Sequence, residues 1–178
     1  RIDIEDSTTT TNTFKIFTEL KKQYSNVGVA IQAYLRRSLD DVNNTLIPAS
    51  ANIRVCKGIY VEKQEIAYKD YEIIRKNFAY LVEKLLSAGC YVGIATHDEM
   101  LIWEGIKIVD RLGLKKDQYE FQMLLGVNHS LRDTIVKEGH RMRIYVPFGE
   151  DWHPYCIRRM KENPAIAGHV MKAFFKRT

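Results

Sequence analysis

Residues 91–113 read YVGIATHDEMLIWEGIKIVDRLG. Residues 91–96 form a short apolar run, closed by the polar triplet Thr96-His97-Asp98. Residues 99–112 then carry a helical pattern that stops at Gly113, where a glycine suits a helix C-terminus. The segment reads as one strand followed by one helix, and the rest of the chain repeats the arrangement.

Working outward, the pattern predicts strands over residues 1–4, 28–33, 52–57, 91–96, 119–123 and 142–146. Helical patterns fill the intervals, over 11–24, 68–88, 99–112 and 130–138, with two more at 154–162 and 165–175. A Thr-rich start is expected to cap the first helix and Ser130 the fourth stretch, while Gly89 and Gly139 are expected stops. Pro154 suits the first turn of a helix, where its missing N–H costs little. Strands recurring every roughly 25–40 residues between helices suit βα units and a parallel sheet.

Two architectures fit such a row, a doubly wound open sheet and a (β/α)8 barrel lacking some units. No GxGxxG follows the first strand, which lowers the nucleotide-binding open-sheet reading. Polar residues gather at the C-terminal ends of the strands, where barrel enzymes keep their sites. The expectation is an α/β fold, a distorted (β/α)8 TIM-like barrel. It occupies residues 1–178 as one domain and lacks N-terminal barrel strand sequence, because the chain opens at Arg1 inside a strand-like run.

The chain has 178 residues, is 46% hydrophobic and carries a net charge of +5. Its lysines and arginines are interspersed with 22 acidic residues. Such mild positive charge favours anionic small molecules or weak contact with an acidic membrane surface. Nucleic acid is not an expected partner, since no basic stripe or known module is present. Three cysteines, Cys56, Cys90 and Cys156, are too few and too far apart for a disulfide framework. No run of about 18 apolar residues marks a membrane span.

Several polar groups fall where a barrel would hold its chemistry. Asp3 and Glu5 flank Ile4, so strand alternation points both carboxylates to one face; a cap or an ion pair would also explain them. Arg54 and Cys56 share a face, Lys57 follows, and Gly58 permits close backbone approach by a ligand. Two cations at one strand end suit a phosphate or an electron-rich ring, or merely water. Thr96 and His97 could hydrogen-bond a cofactor, although a lone histidine is more often structural. A metal would need Asp3, Glu5 and His97 to converge. Gln122 sits in an apolar run and needs partners, a cofactor edge or a backbone carbonyl. Arg158 and Arg159 diverge by roughly 100° on a helix and could clamp a carboxylate, with Glu162 orienting Arg159. Tyr145 and Tyr155 lie close in sequence to that pair and suit a small, partly apolar amino acid, or the core.

The runs RIDIEDS, IQAYLRR, IRVCKGIY, IATHDE, YEFQMLLG, RIYVPFGEDW and YCIRRMKEN, taken together, resemble the proline dehydrogenase family. They follow the family's order and cover nearly the whole chain. The resemblance implies a distorted barrel holding FAD over its strand ends. It implies oxidation of L-proline to Δ1-pyrroline-5-carboxylate by hydride transfer from proline C5 to flavin N5, with a quinone or another acceptor taking the electrons. Arg158 and Arg159 would pair with the proline carboxylate; Tyr145 and Tyr155 would shield the ring, with Tyr60 and Leu124 nearby. Asp3 would organise charge at the substrate and Arg54 would lie by N5. Gln32, Lys57, Gly58, Thr96, His97 and Gln122 would contact the cofactor, with the backbone at Ile4 and Cys56 and with Glu162 holding the arginine helix. A bacterial cytoplasmic or membrane-peripheral protein is expected, or a mitochondrial one if eukaryotic.

Two departures accompany the resemblance. The family's earlier strand with a substrate-site lysine precedes this chain, and no final strand is evident after Asn163. Ile59 and Val61 also differ from the small and aromatic residues expected there. The rival readings are a barrel aldolase using Lys57 as a Schiff base and a non-catalytic barrel remnant that binds an amino acid.

Overall fold

The computed structural model describes residues 1–146 and 148–150. Five strands alternate with helices: α1 (Ser7–Gln23), β1 (Gly28–Gln32), α2 (Ser38–Asp41), β2 (Asn52–Cys56), α3 (Tyr71–Ser87), β3 (Tyr91–Ala95), α4 (Glu99–Arg111), β4 (Tyr119–Leu124), α5 (His129–Lys137) and β5 (Met142–Tyr145). The strands form one parallel sheet in the order β1-β2-β3-β4-β5. A doubly wound sheet would reverse its order at a switch point. An unreversed row is the order of a barrel wall, and among the described residues that wall is not closed.

Alternation along the strands sorts the side chains. Val29, Ile31, Ile53, Val55, Val92, Ile94, Tyr119 and Phe121 face the helices and are buried. They meet Phe14 and Phe17 of α1, Phe78, Leu81 and Leu85 of α3, and Leu101, Ile102 and Ile108 of α4 in one core. Each such fully buried side chain contributes about 1.5–3 kcal/mol. The opposite positions, Arg54, Glu120, Gln122, Arg143 and Tyr145, are polar or aromatic. The sheet thus has an oily outer face under its helices and a polar inner face.

The helices form in the expected intervals, with α1 starting at Ser7 rather than 11 and α3 at Tyr71 rather than 68, and with different caps. Asp6, rather than a threonine, caps α1 by accepting from the Thr8 N–H. Asn128, rather than Ser130, caps α5 by accepting from the Leu131 N–H. Asp70 caps α3 by accepting from the Ile73 N–H. Gly89, Gly113 and Gly139 follow α3, α4 and α5 with positive φ, as expected.

Three expectations change. Residues 1–4 are not a strand: Ile2 makes a single parallel bridge to Val29, donating to Gly28 O and accepting from Ala30 N. The chain needs residues 3–6 to reach the Asp6 cap, so the ladder stops after one rung. The stretch Ser38–Asp41 is helical and runs into a π-helical turn at Val42–Leu46, which the polar sequence between them did not signal. β1, β2, β3 and β5 each end one residue earlier than expected, at Gln32, Cys56, Ala95 and Tyr145, and β4 runs one residue further, to Leu124. The expected helices at 154–162 and 165–175 lie outside the described residues.

Candidate active site

The inner-face side chains at the C-terminal ends of the strands enclose a cleft of about 250 Å³. The segment before α1 supplies Asp3, Ile4 and Glu5; β1 supplies Gln32; β2 and the loop after it supply Arg54, Cys56, Lys57, Gly58, Ile59 and Tyr60. β3 and its loop supply Ala95, Thr96 and His97, β4 supplies Gln122, Met123 and Leu124, and β5 supplies Tyr145. The structure therefore brings together thirteen of the residues singled out from sequence: Asp3, Ile4, Gln32, Arg54, Cys56, Lys57, Gly58, Tyr60, Thr96, His97, Gln122, Leu124 and Tyr145. Tyr155, Arg158, Arg159 and Glu162 lie outside the described residues.

Asp3 and Glu5 do share a face, and both have partners. Asp3 forms an ion pair with Arg54, and Glu5 accepts from the Tyr60 hydroxyl. These contacts tie the segment before α1 to β2 and the loop beyond it. His97 accepts the Leu124 N–H on Nε2 at 2.8 Å, which places the ring proton on Nδ1. Thr96 Oγ1 accepts from the Asp98 N–H, and the Thr96 N–H donates to Gln122 O. Cys56 Sγ donates to Ile31 O at 3.4 Å.

Gln32 is buried; its Nε2 donates to Ile4 O and Glu5 O at 3.3 and 3.2 Å. Its Oε1 has no partner among the described residues. A buried amide oxygen without a donor costs about 1–3 kcal/mol. A ligand N–H or O–H entering the cleft would relieve that cost.

Gln122 finds a partner that its sequence position did not reveal. Its Nε2 donates to Glu120 Oε1 at 2.6 Å, in space left by Gly93, where a Cβ would lie 2.4 Å from that nitrogen. Glu120 is 1% exposed and also accepts from both Nε and Nη2 of Arg143 and from the Tyr91 hydroxyl. Burial alone would raise the Glu120 carboxyl, but Arg143, Gln122 and Tyr91 together hold it below the usual glutamate range. An ionised carboxylate only accepts, so Gln122 must turn its NH2 inward, leaving its carbonyl oxygen as the end available to a ligand.

Lys57 lines the cleft but is not a free amine. Its Nζ donates to Asp98 Oδ2 at 3.2 Å and to the Tyr71 hydroxyl at 3.0 Å. Asp98 also accepts from Arg75 Nε and Nη2, each at 2.9 Å. Burial works against the charged Asp98 carboxyl, yet Arg75, Tyr71 and Lys57 hold it far below the ordinary aspartate range. A lysine whose Nζ is held by a carboxylate and a phenol hydroxyl is not presented as the free nucleophile that Schiff-base chemistry starts from.

Gly58 has a second reason to be glycine beside the expected one. Its φ is +103°, and a Cβ there would lie 2.1 Å from the Tyr34 ring. The glycine is required by Tyr34, which packs beneath the loop, rather than by ligand approach alone.

Glu120, Tyr71, Arg75 and Asp98 escaped the sequence reading because their partners lie far away along the chain. The structure shows the trade: Asp98 is the N-cap of α4, yet its side chain makes no capping bond. Among the described residues no three of His, Cys, Asp and Glu gather as a metal-binding group, and no helix is long and apolar enough to cross a membrane.

Comparison with known proteins follows the same lines. The family model described as proline dehydrogenase matches residues 1–172. The chain is 35% identical over 176 residues to proline dehydrogenase 2 of Bacillus subtilis (strain 168), covering 99% of this chain and 58% of the relative. It is 38% identical over 177 residues to the proline dehydrogenase of Deinococcus radiodurans, covering 98% of this chain and 57% of the relative. The chain thus spans less than two thirds of the length of these relatives. Among solved structures, proline utilization A from Bdellovibrio bacteriovorus, inactivated by N-propargylglycine, superposes with a TM-score of 0.82 at 29% identity. That superposition covers 90% of this chain and 19% of the other. The parallel α/β wall therefore resembles the barrel of that protein.

Proposed function

The chain belongs to the proline dehydrogenase family, and on that premise we propose that it forms most of a barrel that oxidises L-proline to Δ1-pyrroline-5-carboxylate with FAD. The reading rests above all on the polar cleft at the strand ends, where the orphan Gln32 acceptor shares one wall system with the cation Arg54.

The cleft fits a flavin on its own chemistry. Gln32 Oε1 needs a donor, and flavins carry both a ring N–H and ribityl hydroxyls. Gln122 offers an acceptor edge, Lys57 and Arg54 offer donors, and Leu124 and Met123 offer an apolar surface to a ring. When bound, FAD would supply the redox step, accepting a hydride from proline C5 and passing electrons on to a quinone or another acceptor.

The protein's own residues do the rest. Arg54 would offer a fixed positive charge to a flavin held in the cleft, and a preoriented charge of this kind favours a transition state that builds negative charge without reorganisation. Asp3 holds Arg54 in place and adds a carboxylate near the substrate amine. Tyr60, braced by Glu5, and Tyr145 wall the cleft against water, with Leu124 supplying an apolar contact for a pyrrolidine ring. Arg158 and Arg159 would bind the proline carboxylate, Tyr155 would cover the ring, and Glu162 would steady the arginines. Thr96, His97, Gly58 and the backbone at Ile4 and Cys56 would complete the cofactor's surroundings. The amine must be neutral to release a hydride, so activity rises with pH toward its deprotonation. A bacterial protein in the cytoplasm or against the membrane surface suits its relatives and its net charge.

The deciding experiment is an anaerobic absorbance spectrum of the full-length protein, with L-proline and D-proline added in turn. A flavin band that bleaches with L-proline alone is the expected result. A flavin band that stays oxidised would remove proline as the donor, and folded protein without a flavin band would remove the cofactor.

A further inference from the structure

Lys57 and Asp98 come from different βα units and meet at the wall of the cleft. The Lys57 ammonium has three N–H donors. Asp98 Oδ2 takes one and the Tyr71 hydroxyl takes a second, while the ammonium also stands 4.7 Å from the centre of the Tyr71 ring. One N–H remains among the described contacts, and Lys57 lines the cleft.

Asp98 is built for holding. Its side chain is 4% exposed. An aspartate at an N-cap normally accepts from the helix N–H groups. Asp98 forgoes that bond and commits both oxygens to side chains from the loop after β2 and from α3. Arg75 is itself shared with Glu72 at 2.8 Å, so the cluster of Lys57, Arg75, Asp98 and Glu72 is balanced in formal charge. Two of the four side-chain bonds to Asp98 come from Arg75 and one from Tyr71, leaving the bond at 3.2 Å to direct Lys57.

We propose that Asp98 is a positioning residue for the cofactor: it fixes the Lys57 ammonium against Tyr71 so that the remaining N–H points into the cleft toward an oxygen of the bound flavin nucleotide. This rests on the flavin reading above. Without Asp98, Lys57 reverts to a flexible, fully hydrated side chain whose ordering the ligand would have to supply.

The test uses the full-length protein in three variants, Asp98→Asn, Lys57→Met and the double substitution. Asp98→Asn keeps the shape, but whichever way the new amide turns, its NH2 meets donors from Arg75, Tyr71 or Lys57. The readouts are the Kd for FAD by titration of the apoprotein, the acetylation rate of Lys57 by an acetyl succinimidyl ester followed by mass spectrometry, and thermal stability as a separate measure of folding. Lys57→Met is expected to weaken FAD binding roughly 10-fold, the loss of one charge-assisted hydrogen bond. Asp98→Asn is expected to weaken it by no more than that, and the double variant to match Lys57→Met alone. Asp98→Asn is also expected to speed acetylation of Lys57 severalfold in the apoprotein.

Equal losses of FAD affinity on adding Asp98→Asn to wild type and to Lys57→Met would overturn the proposal, because Asp98 would then act only as scaffold. Unchanged acetylation would overturn it as well. Faster acetylation in a wild-type background that binds no FAD would uphold the Asp98–Lys57 coupling and instead remove the flavin reading.

Discussion

Arg54 and Asp3 form an ion pair inside the cleft that joins the middle of β2 to the segment before α1. The pair spans 51 positions in sequence and sets the direction of the guanidinium at the point where charge is expected to develop. Arg54→Met in the full-length protein is expected to slow flavin reduction by L-proline roughly 10²-fold, as loss of a preorganised electrostatic group does. Asp3→Asn is expected to give a smaller loss in the same direction, since Arg54 stays but loses its guide. Anaerobic stopped-flow absorbance measures both. Unaltered reduction in Arg54→Met would show that the ion pair is structural.

Gly58 stands at φ +103° with the Tyr34 ring where a side chain would go. Gly58→Ala forces both a strained backbone and a ring displacement. The strain alone costs about 1–3 kcal/mol. The expected outcome is a lower urea midpoint together with weaker flavin retention, since Lys57 precedes this glycine. Gly58→Ala combined with Tyr34→Ala should recover part of the stability, and no recovery would mean that the backbone strain carries the whole effect.

Glu120 is the acceptor for Arg143, Tyr91 and Gln122 at once. Glu120→Ala strands these donors, and the expected cost is about 3 kcal/mol, the low end for a broken buried pair because Arg143 can turn to water. The pH dependence has a definite sign. The folded carboxyl lies below its ordinary value, so its contribution is fully present above about pH 4.3 and is lost as pH falls through the lowered value. Glu120→Gln should therefore flatten the fall in stability on the acid side, measured by urea midpoints across that range. An unchanged acid slope would mean that Glu120 is not linked to it.

His140 predicts a second pH dependence in a higher range. It is buried beside Tyr119, whose hydroxyl lies 2.8 Å from Nδ1, with Lys116 3.0 Å from the same nitrogen. Burial first, and then the Lys116 charge, lower its pKa below the ordinary histidine value. Glu138, 3.9 Å away, and Asp110 pull the other way but do not prevail. The unfolded chain takes up a proton below about pH 6.5 that the folded chain resists, so stability falls as pH drops through that value. The urea midpoint should be lower at about pH 5.5 than at about pH 7.5, and His140→Gln should narrow the difference. Equal slopes in both proteins would assign the effect to another group.

The sheet was legible because every strand buries one face under helices, so Val29, Ile31, Ile53, Val55, Val92 and Ile94 announce it by type alone. Asp3, Arg54, Lys57, His97 and Gln122 were legible as a set because each is a polar residue in or just after an apolar run. What stayed hidden was their pairing. Gln122 and Glu120 are neighbours on one strand face, yet the decision between a ligand and a carboxylate partner depended on Arg143 from the next strand. Lys57 looked like an exposed cation because Asp98, Tyr71 and Arg75 lie 14 to 41 positions away. The strand expected at residues 1–4 shrank to Ile2 because β-branched residues state a preference, while the cap at Asp6 states a geometric demand.

The row β1-β2-β3-β4-β5 pairs each strand only with its predecessor and successor in sequence. Energetically such a wall behaves like a linear array, in which coupling passes between adjacent units and weakens with each step, as in repeat proteins. The cleft draws on every unit: Gln32, Arg54, Thr96, Gln122 and Tyr145 come from five successive ones. A lesion in one unit should therefore dull one corner of the cleft and its two flanks, while the far corner keeps its shape. Swapping a single unit between homologues becomes a way to exchange one sector of the cleft at a time.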